Sequence, residues 1–312
     1  LQLKYGINKF KCATIAEAEL LAMCNVEDIL LAIQPVGKNI DRYFELIEKY
    51  PNSNFSTIVD DERIIDEIVY KGSKKKISAS LWLDINNGMN RTGVTPGDEA
   101  FRLYRKIDKD SNLLAKGLHV YDGHIREPDF YLRKKACDES FSSVEELKNK
   151  IENSGIKIKT IVAGGTPTFP IHIERESVEV SPGTPLLWDQ RYGDLFKDLK
   201  FIPAAVLLGR IVSKPKHNVI FFNLGHKAVA AEMNFPRVKI LNYNNTKQIG
   251  QSEEHLVVES VESKKCFVGD VCYAIPNHIC PTVPKYNEVL TVIDNNVTGS
   301  WKVIARDYKI NI

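Results

Sequence analysis

Short, nearly continuous apolar runs alternate with amphipathic stretches through the first two hundred or so residues. The runs are FKCAT (10–14), DILLAI (28–33), NFSTIV (54–59), ISASLWLDI (77–85), GLHVY (117–121), KTIVAGG (159–165) and SVEVS (177–181). A run apolar at almost every position is buried on both faces, as in a parallel sheet covered by helices. Between them lie IAEAELLAMC, IDRYFELIEKY, DERIIDEIVYKG and PGDEAFRLYRKI, each with apolar residues at helical spacing. SSVEELKNKIENSG carries the fullest end signals: serine at the N-cap, early glutamates and glycine at the C-cap.

Strand, helix, strand at this spacing means parallel β/α units. Seven such strands fit an eight-stranded β/α barrel lacking its first strand, with an open doubly wound sheet as the alternative. The count favours the barrel, as does the Leu-Gln-Leu start, which reads as a chain whose N-terminal end has been lost. After about residue 199 the texture changes. AAVLLGRIVSKP, NVIFFNLG, RVKILNY, EHLVVESV, CFVGDVCYAI and VLTVIDNNVTGSWKVIARD are β-rich and broken by turn residues. The expected organisation is a β/α barrel over 1–198 and a mostly antiparallel β domain over 199–312.

Composition narrows the partners. A net charge of +2 gives no electrostatic reason to expect nucleic acid or an anionic membrane. No apolar run approaches the roughly 20 residues of a membrane span. With no signal peptide and six scattered cysteines, the chain reads as cytoplasmic, with Cys12 and Cys24 as reduced core thiols.

In a β/α barrel, chemistry sits in the loops that follow the strands. DINNGMNRTGV (84–94) brings Arg91 to a strand exit, where a guanidinium can meet an anionic oxygen or simply lie in solvent. Tyr121 ends another strand, as a ligand contact or a plug of the core. In VAGGTPTFP (162–170), Gly164 and Gly165 let backbone amides approach a phosphate and Thr166 adds a hydroxyl; a tight turn is the plainer explanation. Gly183 and Thr184, in SPGTPLLWD, offer two further N–H donors at the last strand end. In YAIPNHICPT (273–282), strand alternation sends His278 and Cys280 to one side, as metal ligands or as packed neighbours.

These segments resemble the D-threonine aldolase and D-serine dehydratase family, pyridoxal-phosphate enzymes with an alanine-racemase-like barrel and a C-terminal β domain. The likeness spans essentially the whole chain. KFKCATIAEAE, GMNRTG, GLHVYDGH, AGGTPTF, SPGT, LGHKAVAAE, EEHLVVE and GDVCYAIPNHICPTV carry it. It implies that Arg91 contacts the phenolic oxygen of pyridoxal 5'-phosphate and that Tyr121 lies against the pyridine face. Gly164, Gly165, Thr166, Gly183 and Thr184 would hold the phosphate. Ser181 stands where alanine racemases place an arginine facing the pyridine nitrogen. His278 and Cys280 match the metal pair, for zinc or manganese. The family's Schiff-base lysine, in a Pro-His-x-Lys segment of the first barrel strand, has no match here, and neither Lys9 nor Lys11 offers a reason to be promoted in its place. The chain as given is therefore not expected to form the usual covalent link to the cofactor, and the implied activity is that of an intact parent protein.

That activity is a lyase reaction on β-hydroxy D-amino acids. D-Threonine aldolase, giving glycine and acetaldehyde, comes first, on the likeness of the GGTPTFP to SPGTPLLWD segment. Cys280, where aldolases typically carry Asp, speaks for D-serine dehydratase, giving pyruvate and ammonia. A racemase needs no metal pair, and a non-catalytic cofactor-binding protein is the reading from another class. The resemblance also implies a homodimer. It leaves His226, Glu254 and His255 without a role.

Overall fold

The computed structural model describes residues 1–312, which divide into two units: Leu1–Pro182 with Ile304–Ile312, and Gly183–Val303. In the first unit, β1 (Lys9–Cys12), β2 (Asp28–Leu31), β3 (Asn54–Val59), β4 (Ala79–Ile85), β5 (Leu113–Val120), β6 (Ile161–Ala163) and β7 (Val178–Val180) form one parallel sheet in chain order. Helices α1 (Ile15–Met23), α2 (Lys38–Lys49), α3 (Glu62–Lys75), α4 (Asp98–Lys109), α5 (Phe130–Asn153) and α6 (Phe169–His172) link successive strands. A doubly wound sheet reverses its strand order at a switch point. This one never does, and it curls until Lys9 of β1 forms an ion pair with Glu179 of β7. The fold is the expected barrel type, with seven strands.

Alternation along each strand sorts the side chains. Ile29, Leu31, Phe55, Val59, Leu81, Leu83 and Leu118 point outward and are fully buried against Phe44, Ile65, Leu103 and Phe141 of the helices. Burying a side chain of this size contributes about 1.5–3 kcal/mol, so this layer dominates the unit's stability. The intervening residues face the inside of the curl. Leu30, Ile58, Trp82 and Val162 form a small apolar cluster there, and the Trp82 indole N–H donates to Ser56 Oγ at 3.0 Å.

Two details depart from the sequence reading. Helix α5 begins at Phe130, capped by Asp129, whose carboxylate accepts the Leu132 N–H at 2.9 Å. The expected serine cap at 142–143 lies inside it, because Ser142 and Ser143 turn their hydroxyls to the carbonyls of Glu139 and Ser140. Arg133, Cys137 and Phe141 give the extra turns a buried face. Cys24 is exposed rather than a core thiol: it ends α1, and Cys12 is only half-buried. All six cysteines are free.

Residues 304–312 return to the first unit. The buried Glu19 carboxylate accepts the backbone N–H groups of Asn311 and Ile312 at 2.9 and 3.2 Å, and Arg42 donates to the carbonyls of Tyr308 and Ile312.

The second unit holds α7 (Gln190–Leu195) and strands β8 (Leu207–Lys216), β9 (Val219–Phe222), β10 (Val238–Ile240), β11 (Thr246–Gln251), β12 (Leu256–Ser260) and β13 (Val271–Pro276). The strands form a six-stranded antiparallel sheet in the order β10-β13-β8-β9-β12-β11. A hairpin of β14 (Glu288–Ile293) and β15 (Asn296–Lys302) follows. Ile211, Ile220, Phe222, Val258 and Cys272 form its core. The division at Pro182/Gly183 precedes the change of texture near 199. Buried Asp189 ties this early segment to the second unit by capping α7 through Tyr192 N–H and accepting Ile279 N–H at 3.2 Å. No helix is long and apolar enough to cross a membrane.

Candidate active site

The loop after β4 is built by Asn86. Its Oδ1 accepts the N–H groups of Gly88 and Asn90, and its Nδ2 donates to Asn90 Oδ1 at 3.0 Å. Gly93 N–H is anchored on Asp60 at 2.8 Å. The folded loop sends Arg91 back over the sheet end, its guanidinium 4.6 Å from the centre of the Tyr121 ring. Tyr121 follows β5 and is gripped by two glycines: a Cβ on Gly123 would lie 2.4 Å from the ring, and one on Gly165 3.0 Å from it. Asp84, Ile85, Met89, Arg91, Thr92 and Tyr121 line a hollow of about 10 Å³, room for one water.

Inside the curl, the alternation that buries apolar residues elsewhere buries polar ones. Asp84 of β4 and His119 of β5 are 3% and 4% exposed, and His119 Nδ1 lies 2.7 Å from Asp84 Oδ1. Burial, reinforced by the charges of Lys11 and Arg91, lowers the His119 pKa against the pull of Asp84 and leaves the ring neutral. With its proton on Nδ1, its Nε2 is an acceptor; neither that atom nor Asp84 Oδ2 has a protein partner. Lys11 joins them from β1. Burial depresses its pKa to about 8, opposed by the charges of Asp84 and Asp122. No sequence feature promoted Lys11, and its place on the inward face follows from the alternation of β1, whose Phe10 and Cys12 pack on the helix side.

Gly164 and Gly165 form the turn after β6. Gly164 takes φ +80°, a left-handed conformation, and a Cβ there would strike the His172 ring. The turn is held from beneath by Asp122. Its Oδ1 accepts the Gly165 N–H at 3.1 Å and the Thr168 hydroxyl at 2.7 Å; its Oδ2 accepts from His172 Nε2 at 2.8 Å and from the Cys137 thiol at 3.8 Å. Burial opposes ionisation of Asp122, but these donors hold its pKa below the usual carboxylate range. Asp122, Cys137 and His172 are close enough to chelate a metal ion, yet all three are buried and the carboxylate is already saturated with donors. None of the three stood out in the sequence. Thr166 is buried beside the turn. Ser181, beyond β7, buries a hydroxyl oxygen that has no partner. Gly183 and Thr184 belong to the second unit, where Gly183 is exposed and the buried Thr184 opens a short 3₁₀ turn.

His278 and Cys280 lie past the end of β13, in a loop rather than on the expected strand. They still reach one side, because Ile279 between them is buried and donates its N–H to Asp189. His278 hydrogen-bonds Cys280 and, through Nδ1, Glu232; both contacts push its pKa up, to about 9. Glu232 ends the GHKAVAAE segment, to which the sequence alone gave no role.

Comparison with known proteins places this geometry. The family model described as "Alanine racemase, N-terminal domain" matches residues 1–190, and "Putative serine dehydratase domain" matches 204–292. The chain belongs to the alanine racemase N-terminal domain family. It is 25% identical over 308 residues to a 3-hydroxy-D-aspartate aldolase of Paracoccus denitrificans (strain Pd 1222), across 95% of this chain and 78% of the relative. Among solved structures, a D-threonine aldolase from Filomicrobium marinum superposes with a TM-score of 0.89 at 22% identity, covering 98% and 84% of the two chains. The D-threo-3-hydroxyaspartate dehydratase from Delftia sp. HT23 gives 0.79 at 16% identity, with 94% and 83% covered. These superpositions establish a shared fold.

Alanine-racemase-like proteins use pyridoxal phosphate, and the residues here fit such a group. The Ser181 hydroxyl is buried without a partner, and Arg91 and Tyr121 offer a cation and a flat face; the N–H groups of Gly164 and Gly165 are given to Val120 O and to Asp122. The imidazole, thiol and carboxylate of His278, Cys280 and Glu232 fit a divalent metal. Glu232 on Nδ1 fixes the ring in the manner of a carboxylate behind a metal-bound histidine, leaving Nε2 and the sulfur as ligands.

Proposed function

We propose that this protein is a pyridoxal-phosphate- and divalent-metal-dependent lyase acting on β-hydroxy D-amino acids, with D-threonine aldolase activity as the first reading. The observation that carries it is the His278–Cys280 pair backed by Glu232, since a racemase has no use for a metal at a β-hydroxyl. The activities named for the relatives, on hydroxyaspartate and D-threonine, support the substrate class. Bound together, the cofactor would withdraw electrons from the substrate's α-carbon and the metal would act as Lewis acid at the β-hydroxyl.

The chain's own residues do the rest. Arg91 neutralises an anionic ring oxygen and Tyr121 packs against a ring face. The Gly164–Gly165 turn, kept in place by Asp122, lets the chain pass close to the phosphate, and Thr166 is the group it offers there. Ser181 presents a neutral hydroxyl to the ring nitrogen. His278 and Cys280 hold the metal, zinc or manganese. Loss of the β-hydroxyl proton breaks the Cα–Cβ bond and releases glycine and acetaldehyde from D-threonine. D-Serine dehydratase is the second reading, favoured by the Cys280 thiol: loss of the Cα proton expels hydroxide, giving pyruvate and ammonia from D-serine. A cytoplasmic homodimer belongs to the same proposal.

The test is product analysis of the full-length protein with D-threonine and pyridoxal phosphate, with and without zinc or manganese. Glycine and acetaldehyde are expected. 2-Oxobutanoate and ammonia would select the dehydratase, and no turnover under either metal would sink both lyase readings.

A further inference from the structure

We propose that Arg237 is a carboxylate-binding residue beside the His278–Cys280 pair, holding an acid group of the substrate whose hydroxyl the metal takes. That the ligand is a β-hydroxy amino acid rests on the proposed function; the anion site rests on Arg237 itself.

Arg237 stands immediately before β10, and its backbone is locked on both sides. Its N–H donates to Gln248 Oε1 at 2.7 Å, and its carbonyl accepts the N–H of Asn277, the residue before His278, at 2.8 Å. The side chain has no such partners. Nε and Nη1 are both shut off from solvent, and neither makes a hydrogen bond. Arg133 and Arg175 each leave one shielded nitrogen bare as well, but the first donates to the carbonyls of Glu127 and Pro128 and the second to Asp138. Arg237 has neither a carbonyl nor a carboxylate. Shielded donors of a charged group are costly to leave unmade, so the side chain calls for a partner.

The surroundings select that partner. The guanidinium offers two forks, Nε with Nη2 and Nη1 with Nη2, and each contains one of the bare nitrogens. Both forks share Nη2, which is not shielded. The guanidinium carbon lies 4.7 Å from the centre of the Phe235 ring, which covers one face and leaves approach in the plane, as a carboxylate makes it. Glu232 lies within the field of Arg237 but spends its carboxylate on His278 Nδ1 and forms no ion pair with the arginine. With a divalent ion on His278 and Cys280, the thiolate and the Glu232 carboxylate balance its two charges, and Arg237 leaves the site net positive. A β-hydroxy amino acid carries its α-carboxylate one carbon from the hydroxyl-bearing carbon, and some carry a second carboxylate on that carbon itself. Either acid group suits the fork.

The experiment titrates the full-length protein with lactate, with and without zinc, by isothermal titration calorimetry; 1,2-propanediol is the neutral analogue. Zinc affinity is measured alongside. Lactate should bind the zinc-loaded protein and lose about tenfold in affinity in Arg237→Met, with zinc affinity and the unfolding midpoint unchanged and no binding of the diol. Arg237→Lys keeps the charge without the fork and should fall between the two. Equal lactate binding by the parent and Arg237→Met, or zinc bound without any lactate, would overturn the proposal and leave the proposed function standing. No zinc bound by the parent would instead sink the metal reading, while acetate held by the zinc-free parent and lost in Arg237→Met would still uphold the anion site. Turnover then separates the two sources of the carboxylate. A kcat/KM loss in Arg237→Met on D-threonine and on a β-carboxylated β-hydroxy D-amino acid alike assigns the α-carboxylate, and a loss confined to the second assigns the β-carboxylate. No loss on either counts against Arg237.

Discussion

The two units each bring together a carboxylate, an imidazole and a thiol, and they use them in opposite ways. Asp122, His172 and Cys137 are buried to 1% exposure or less, and the carboxylate takes a backbone N–H, a hydroxyl, a ring N–H and a thiol. Glu232, His278 and Cys280 sit at the surface, where the carboxylate holds one ring nitrogen. By distance alone the first set is the better chelator. By chemistry it is the worse one, because an entering ion must strip donors from a buried, saturated carboxylate, and each group so orphaned costs free energy. The exposed set gives up only water and a shared proton. Proximity of ligand atoms is therefore a poor guide to metal binding unless their existing partners are counted.

The widest separation should appear in stability. Asp122→Ala removes the partner of His172, Gly165 and Thr168 at once and should cost about 3–5 kcal/mol in urea unfolding, whereas Glu232→Ala should stay within about 0.5 kcal/mol. Equal effects would erase the distinction.

Glu19 extends the comparison to a second saturated, buried carboxylate. Burial opposes its charge, but hydrogen bonds from Asn311, Tyr50 and Ile312 hold its pKa down to about 2, against an ordinary 4.5. A depressed carboxylate stabilises the fold above its unfolded pKa, and that contribution fades as pH falls through the folded one. About 3 kcal/mol should thus be lost between pH 4.5 and 2. Glu19→Gln should flatten this limb of the stability profile; an unchanged acid limb would show that the carboxylate contributes little.

The smallest effect belongs to the exposed set. Glu232→Gln should weaken zinc binding by about tenfold, close to 1.4 kcal/mol, without altering the unfolding midpoint. Isothermal titration calorimetry reads this directly. A matching loss in Asp122→Asn, with none in Glu232→Gln, would move the metal to the buried cluster.

The strands and most helices were legible because period-two and period-3.6 patterns are local properties of the chain. So were the loops carrying Arg91, Tyr121 and the glycine pair, and the pairing of His278 with Cys280, though not the loop in which that pair sits. Three things were not. The start of α5 was hidden by Ser142 and Ser143, whose hydroxyls look like caps until their i−3 carbonyls are seen to accept them. Glu232 is 46 residues from His278 along the chain. Lys11 sits in a run that otherwise reads as apolar, and its meaning depends on what the curled sheet places opposite.

The sequence by itself determined the β/α order, the change to antiparallel strands, and the family resemblance, because each is written in the spacing and identity of neighbouring residues. Which polar groups are satisfied was decided only in three dimensions. Asp84 and Asp122 are the same residue type near neighbouring strand exits, yet one leaves an oxygen unpartnered in the pocket and the other is saturated beneath a turn. The difference lies in what residues 35 to 50 positions away along the chain bring to each, and solvation is set by those distant neighbours rather than by the chain on either side.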